Sequence, residues 1–265
     1  MDKIHDKLKI FIRYPPGASG NFISAVVFSL IVDIQLRDPR HAHYERQAYS
    51  RFHNWHNTFS QDNDDFRYTT SPNCLNSMED RCKYIQETFS FAPTHLDYYI
   101  VSTHSTDTDP LLLAFNNTRL INIEITEKDR TQIAYNWLTK FASRENNYAH
   151  IINYLKVVKH QYGKLFHVSE KLIGLDSDPR LLTYIVQTAT TNYMRDYMSF
   201  KLSSNYPILN IPFSDIANGN LVNRLDEIID FVNIPNLKRQ NALKLINQYV
   251  NAQTPAPWNL SLDDY

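Results

Sequence analysis

The sequence predicts an α/β protein, a three-layer α/β/α arrangement with a mainly parallel central sheet. Three observations carry this. Short apolar, β-branched runs recur along the chain, at Ile10 to Tyr14, Asp97 to Ser102, Arg119 to Ile125 and Pro207 to Ile211. Each is followed, directly or after a turn, by a segment with helical spacing, and strands alternating with helices bury a parallel sheet on both faces. The first run leads through a Pro/Gly/Ser turn into an apolar helix-length segment, and that turn, Pro15 to Gly20, holds two of the chain's five glycines.

In order, the first strand and turn precede a helix expected from Phe22 to Leu36, with Pro39 closing the element. A polar, aromatic region follows, about 41–72, read as a solvated insertion. It contains His41, His43, His53 and His56, but no cysteine and no helix or hairpin spacing that would set those rings as a metal site. A helix is expected over Met78 to Phe89. The second strand then ends in Thr103 and His104, and a short helix lies near Leu111 to Phe115. After the third strand, Thr126 is placed to cap a helix whose first turn carries Glu127 and Asp129, complementing its dipole. Helical patterns continue over Tyr148 to Tyr162 and Arg180 to Leu202. The fourth strand is followed by helices over Leu221 to Val232 and Leu237 to Val250.

Length and composition narrow the class. At 265 residues, with 43% hydrophobic and 21% charged residues, the chain is read as a single domain with its own core. A net charge of −1 provides no basic field for nucleic acid or an anionic membrane, so any anion must be held locally. No run of about 18 apolar residues predicts a membrane span, and no secretory leader is evident, so an intracellular, soluble protein is expected. Cys74 and Cys82 make no disulfide framework and are read as reduced thiols.

The turn is the first functional candidate. Glycine allows a sharp bend and close approach of the backbone, and a helix starting near Asn21 directs unpaired N–H groups and its positive dipole end into the same space. Such a place suits phosphate or sulfate. An ordinary strand-to-helix connection uses the same residue types, so the turn alone leaves both readings open. His104 is the second candidate, because a parallel strand delivers its last residues to the edge where ligands bind and imidazole titrates near neutral pH.

Taken together, four blocks resemble the sulfotransferase family. Tyr14 to Phe22 stand where that family's phosphosulfate loop follows its first strand. Thr103 and His104, with Asp109 to Leu113 beyond them, resemble its Thr-His and Leu/Pro-rich segment. Leu120 to Trp137, with Lys128 and Asp129, resemble its third strand and following helix. Ile208 to Pro235, with Phe213, Asp215 and Ile216, resemble the fourth block. The resemblance implies a P-loop-like fold and transfer of a sulfuryl group from 3′-phosphoadenosine 5′-phosphosulfate (PAPS) to a hydroxyl or amine acceptor, a carbohydrate or small molecule among the candidates, with no metal. It assigns His104 as general base and Gly17, Ala18, Ser19, Gly20, Asn21, Phe22 and Ser24 to the donor site. Ala18 occupies the place of the family's lysine, and its 3′-phosphate arginine and serine fall near Ile125 and Ile133, so Arg130 and Asn136 are the substitutes. Arg13, Lys128 or Arg130 would supply charge to the leaving phosphate. The competing reading is a non-catalytic anion- or nucleotide-binding or structural protein that keeps the fold. A P-loop kinase or NTPase is disfavoured because no Gly-Lys-Ser/Thr ending closes the turn.

Overall fold

The computed structural model describes residues 5–15, 17–31, 33–34, 36–38, 43–44, 77–89, 97–104, 106–145, 179–203, 205–253 and 255–257. Contacts divide the chain into two units: residues 1–14, 19–124 and 201–253 form the first, and residues 15–18, 125–200 and 254–265 the second.

The first unit is α/β. Its strands β1 (Leu8–Arg13), β4 (Tyr98–Thr103), β5 (Thr118–Glu124) and β6 (Ile208–Pro212) form a four-stranded sheet, all neighbours parallel, in the order β4-β1-β5-β6. β1 and β5 are central, and their runs are buried almost throughout, as parallel strands covered on both faces must be. The register sets which side chains share a face. Phe11 lies opposite Val101 and Leu120 and, with Tyr99, forms a core against Ile85 and Phe89 of α2 (Met78–Phe89) and Leu111 and Leu112 of α3 (Asp109–Leu113). The other face carries Ile12, Ser102 and Ile121 and is covered by α1 (Gly20–Ser29), whose Ser24 hydroxyl hydrogen-bonds that of buried Ser102 at 2.5 Å. On that same face Arg119 donates to the carbonyls of Phe231 and Val232 at the end of α8 (Leu225–Val232). A further helix, α9 (Arg239–Ala252), packs on α1, and the Lys238 N–H donates to Leu30 O at 2.6 Å.

The strands lie within two residues of their sequence-based positions, β1 beginning at Leu8 instead of Ile10, while several helices differ. α1 ends at Ser29 instead of running to Leu36. Its last turn tightens as Ile31 N–H bonds Phe28 O, and Leu36–Asp38 instead form β2, paired antiparallel with β3 (His43–Tyr44). The segment Phe213–Ala217, without a helix assignment from sequence, forms the short helix α7, and a 3₁₀ stretch over Asn220–Arg224 precedes α8.

The second unit contains a 3₁₀ turn, Glu127–Asp129, running into α4 (Arg130–Glu145), and the helices α5 (Pro179–Ala189) and α6 (Thr191–Ser199). The expected cap is present: the Asp129 carboxylate accepts from both the N–H and the hydroxyl of Thr126, at 2.7 and 2.8 Å. The single helix expected over 180–202 is two. The break falls at Thr190, whose backbone leaves the helical region at φ −92° and ψ 0°; Thr190 Oγ1 donates back to the carbonyls of Val186 and Gln187, and Thr191 Oγ1 also donates to Gln187 O, contacts of a kind that bend helices. The helix expected over 148–162 and all but two residues of the polar region 41–72 lie outside the described residues. Among the described residues no helix is long and apolar enough to cross a membrane.

Candidate functional site

The carboxyl ends of β1 and β4 are the place where this sheet can form a crevice. The chain leaves β1 toward α1 on one face and leaves the adjacent β4 toward α3 on the other. Neighbouring parallel strands whose connections depart to opposite faces leave a gap beyond their ends, and ligands of open α/β sheets bind there. Tyr14 and His104 are the residues that follow these two strands.

Tyr14 is only 3% exposed and organises this end of the unit. Its N–H continues the sheet by donating to Thr103 O at 3.1 Å, and its carbonyl accepts from His104 Nδ1 at 2.9 Å. The two rings meet edge-on, with centroids 4.3 Å apart at 67°. The Tyr14 hydroxyl donates to Asn21 Oδ1 at 2.8 Å, which ties the ring to the first turn of α1. Because a carbonyl can only accept, the proton of neutral His104 lies on Nδ1, and Nε2 is the basic nitrogen.

The start of α1 is held from a second direction by Tyr249 of α9. Ser19, at φ 61°, occupies the left-handed region before the helix, and its hydroxyl shares a 2.5 Å hydrogen bond with the Tyr249 hydroxyl. Phe22 stacks on the Tyr249 ring at 3.7 Å and 9°. Burial pushes the Tyr249 phenol up to about 12, the bond to Ser19 offsetting part of that rise. The hydroxyls of Ser19 and Ser24 therefore each have a protein partner, and Phe22 is a packing residue. The N–H groups of Gly20 and Asn21, in the first turn of α1, have no carbonyl one turn before them in the helix.

Across the last register of the sheet runs a polar row on the α2/α3 face. Thr103 lies opposite Arg13, Arg13 opposite Asn122, and Asn122 opposite Asn210. Arg13 is 2% exposed; its Nη1 donates to Asn122 Oδ1 at 2.8 Å and its Nε to Thr106 O at 3.1 Å. Asn122 Nδ2 in turn donates to Asn210 Oδ1 at 2.9 Å. Arg13 thus fastens the loop after β4 to the sheet. In that loop Asp107 pairs with Arg81 at 3.0 Å, and its other oxygen accepts the Asp109 N–H. The Asp109 carboxyl is pushed up by burial and then by the charge of Asp107.

The remaining sequence-derived candidates belong to the second unit. Gly17 has φ 90°, and a β-carbon there would fall 2.3 Å from Ile133 O of α4. Its carbonyl accepts from Asn136 Nδ2 at 3.3 Å, and buried Ala18 donates its N–H to Pro15 O. Arg130, 4% exposed, is engaged within the same unit by Glu127 Oε2 at 2.9 Å, Gln187 O at 3.1 Å and Thr191 Oγ1 at 2.6 Å. Asn136 and Arg130 therefore have positions inside the helical unit, with Gly17 and Ala18, while Ser19, Gly20, Asn21, Phe22, Ser24 and His104 belong to the first. Sequence reasoning placed Tyr14 at the head of the loop block without giving it a role, and missed Tyr249, Asn122 and Asn210. The two asparagines were visible as polar interruptions of strand-like runs, but neither tyrosine carries a local signal that separates it from the other fifteen.

Among the described residues no cluster of three or more histidine, cysteine or acidic side chains is arranged to hold a metal ion. In comparisons with known proteins, no family model, no curated protein and no solved structure matches this chain.

Proposed function

We propose that the chain is a divergent sulfotransferase-like protein with a P-loop-like, three-layer fold, which binds PAPS or its product adenosine 3′,5′-bisphosphate and moves the sulfuryl group to a hydroxyl or amine acceptor. The observation that carries the reading is the neighbourhood of His104 and the first turn of α1 beyond the ends of β1 and β4, joined through Tyr14. A base and a helix N-terminus at the carboxyl edge of a parallel sheet supply two requirements of the reaction, proton removal and backbone donors for an oxyanion. In the transfer, His104 Nε2 takes the acceptor proton, the acceptor oxygen bonds to sulfur, and the bond from sulfur to the phosphate oxygen breaks with its electron pair leaving on the bisphosphate. The N–H groups of Gly20 and Asn21, at the start of α1, are the backbone donors this reading assigns to the anion.

The second reading is a non-catalytic anion- or nucleotide-binding or structural protein of the same fold. It is favoured by the buried commitments of Arg13 and Arg130, whose guanidiniums are engaged by internal oxygens, and by Ala18 in the place of a lysine. Lys128 is then the cation of the three candidates that is not buried. Titrating the full chain with adenosine 3′,5′-bisphosphate by calorimetry, and assaying transfer of labelled sulfate from PAPS to a mixed hydroxyl and amine acceptor panel, separates the readings. Binding with transfer supports the enzyme, binding without transfer supports the second reading, and no binding overturns the donor assignment in both.

A further inference from the structure

We propose that Tyr14 is a positioning residue for His104: it fixes the imidazole in the Nδ1–H tautomer and sets the direction in which Nε2 is presented. Its importance for catalysis rests on the functional reading above, while the device itself is read from geometry. Two constraints converge on the ring. The Tyr14 carbonyl accepts from Nδ1 at 2.9 Å, which selects the tautomer, and the Tyr14 ring meets the imidazole edge-on at 4.3 Å, which restricts its rotation. Free imidazole side chains favour the other tautomer, so a dominant Nδ1–H form must be imposed by the surroundings.

Tyr14 is itself held at three points. Its N–H is bonded to Thr103 O, the residue next to His104, so the carbonyl that receives the imidazole proton is in register with the strand that carries the imidazole. Its hydroxyl is anchored on Asn21, and its ring lies against Gly20, where any β-carbon would fall 1.9 Å from Tyr14 Cγ. Gly20 and Asn21 open α1, so the side chain that orients His104 rests on the helix turn assigned to the anion. An aromatic ring with one polar tip performs both tasks, packing on a glycine while bonding an amide oxygen. This assigns the glycine at position 20 to the positioning of His104 through Tyr14.

The test is ¹⁵N NMR of the histidine ring nitrogens in the full chain, followed through a pH titration without donor or acceptor. Above its pKa, native His104 is expected to show the Nδ1–H pattern; Tyr14→Ala keeps the main-chain carbonyl but removes the ring and the Asn21 anchor that hold the imidazole against it, so the population should move part of the way toward the Nε2–H form of free imidazole. A native Nε2–H pattern, or an unchanged population in a folded Tyr14→Ala protein, overturns the proposal. Should Tyr14→Ala fail to fold, Tyr14→Phe carries the test. It keeps the ring and loses the Asn21 anchor, so the Nδ1–H share should fall measurably, and an unchanged share overturns the proposal. Transfer kinetics add a second readout, since Tyr14→Phe should shift the pH profile of kcat, which a merely structural loss would lower without moving. Absence of transfer alongside the expected tautomer overturns the functional reading and leaves the Tyr14–His104 arrangement standing.

Discussion

The ring of Tyr14 lies directly on the α-carbon of Gly20, so that a β-carbon added at position 20 would sit 1.9 Å from Tyr14 Cγ and 2.0 Å from Cδ1. The glycine admits a protein side chain. This predicts that Gly20→Ala destabilises the native chain by at least the ~1–3 kcal/mol typical of overpacking. In a Tyr14→Ala background the same substitution should cost much less, because the obstructing ring is gone. Denaturant unfolding of the four proteins measures this coupling. Equal penalties in both backgrounds would show that the constraint at position 20 lies elsewhere.

The row Arg13–Asn122–Asn210 makes a separate, graded prediction. Asn122 is 5% exposed and accepts from a buried guanidinium, so Asn122→Leu should cost about 1.5–3 kcal/mol, the range for a hydrogen bond to a charged group. Asn210 is exposed, and water can replace what it gives, so Asn210→Ala should cost under about 1 kcal/mol. Chemical denaturation decides, and the order of the two penalties is the informative result.

The strands were legible because parallel strands buried on both faces spell themselves as mostly apolar runs, as in Ile10–Ile12 and around Leu120–Ile123 despite Asn122. The order β4-β1-β5-β6 was not, since nothing local in Tyr98–Thr103 says on which side of β1 it lies. The split at Thr190 was hidden because the apolar stripe Leu181, Ile185, Ala189, Tyr193 continues across it, whereas the break is a change of backbone angles at one residue whose hydroxyl bonds back to carbonyls. At the candidate site, His104 and the turn were found from their place after strands. The roles of Gly17 and Gly20 were not, because the groups that crowd them, Ile133 O and the Tyr14 ring, are set by packing and not by spacing.

If His104 is the general base, His104→Ala should lower turnover about 10²- to 10⁴-fold while donor affinity stays nearly constant. Its loss also removes the donor to Tyr14 O and the edge contact with the ring, so a modest fall in melting temperature is expected. Turnover, calorimetric donor affinity and melting temperature measured on the same variant distinguish the two effects. Unchanged turnover in a folded His104→Ala protein would remove the residue from the chemistry.

Lys9 provides a test of the core that is independent of the site. Its side chain, on the α2/α3 face of β1, is 0% exposed; Nζ donates to Lys7 O at 2.8 Å and His5 O at 3.2 Å and lies 4.4 Å from the Phe115 ring centroid. Burial is the main cause that lowers its pKa from 10.5 to about 8, with Asp6 opposing and Lys7 adding to the fall. Between pH 8 and 10.5 the unfolded chain therefore holds a proton at Lys9 that the folded chain has released. Stability from this group rises with pH across that window, and its destabilising effect is complete below about pH 8. Lys9→Met removes the buried amine, so its stability relative to the native chain should be greatest at pH 7 and decline as pH rises from 8 to 10.5. Tyr99 also faces this pocket, but burial, and then Asp97, push its phenol up, which keeps it neutral over most of the same range, and it is present in both proteins. Urea unfolding of both chains at pH 7, 8, 9 and 10 gives the difference directly. A difference that stays flat with pH would mean that Lys9 titrates alike in the folded and unfolded states, and so that its amine keeps its water in the native protein.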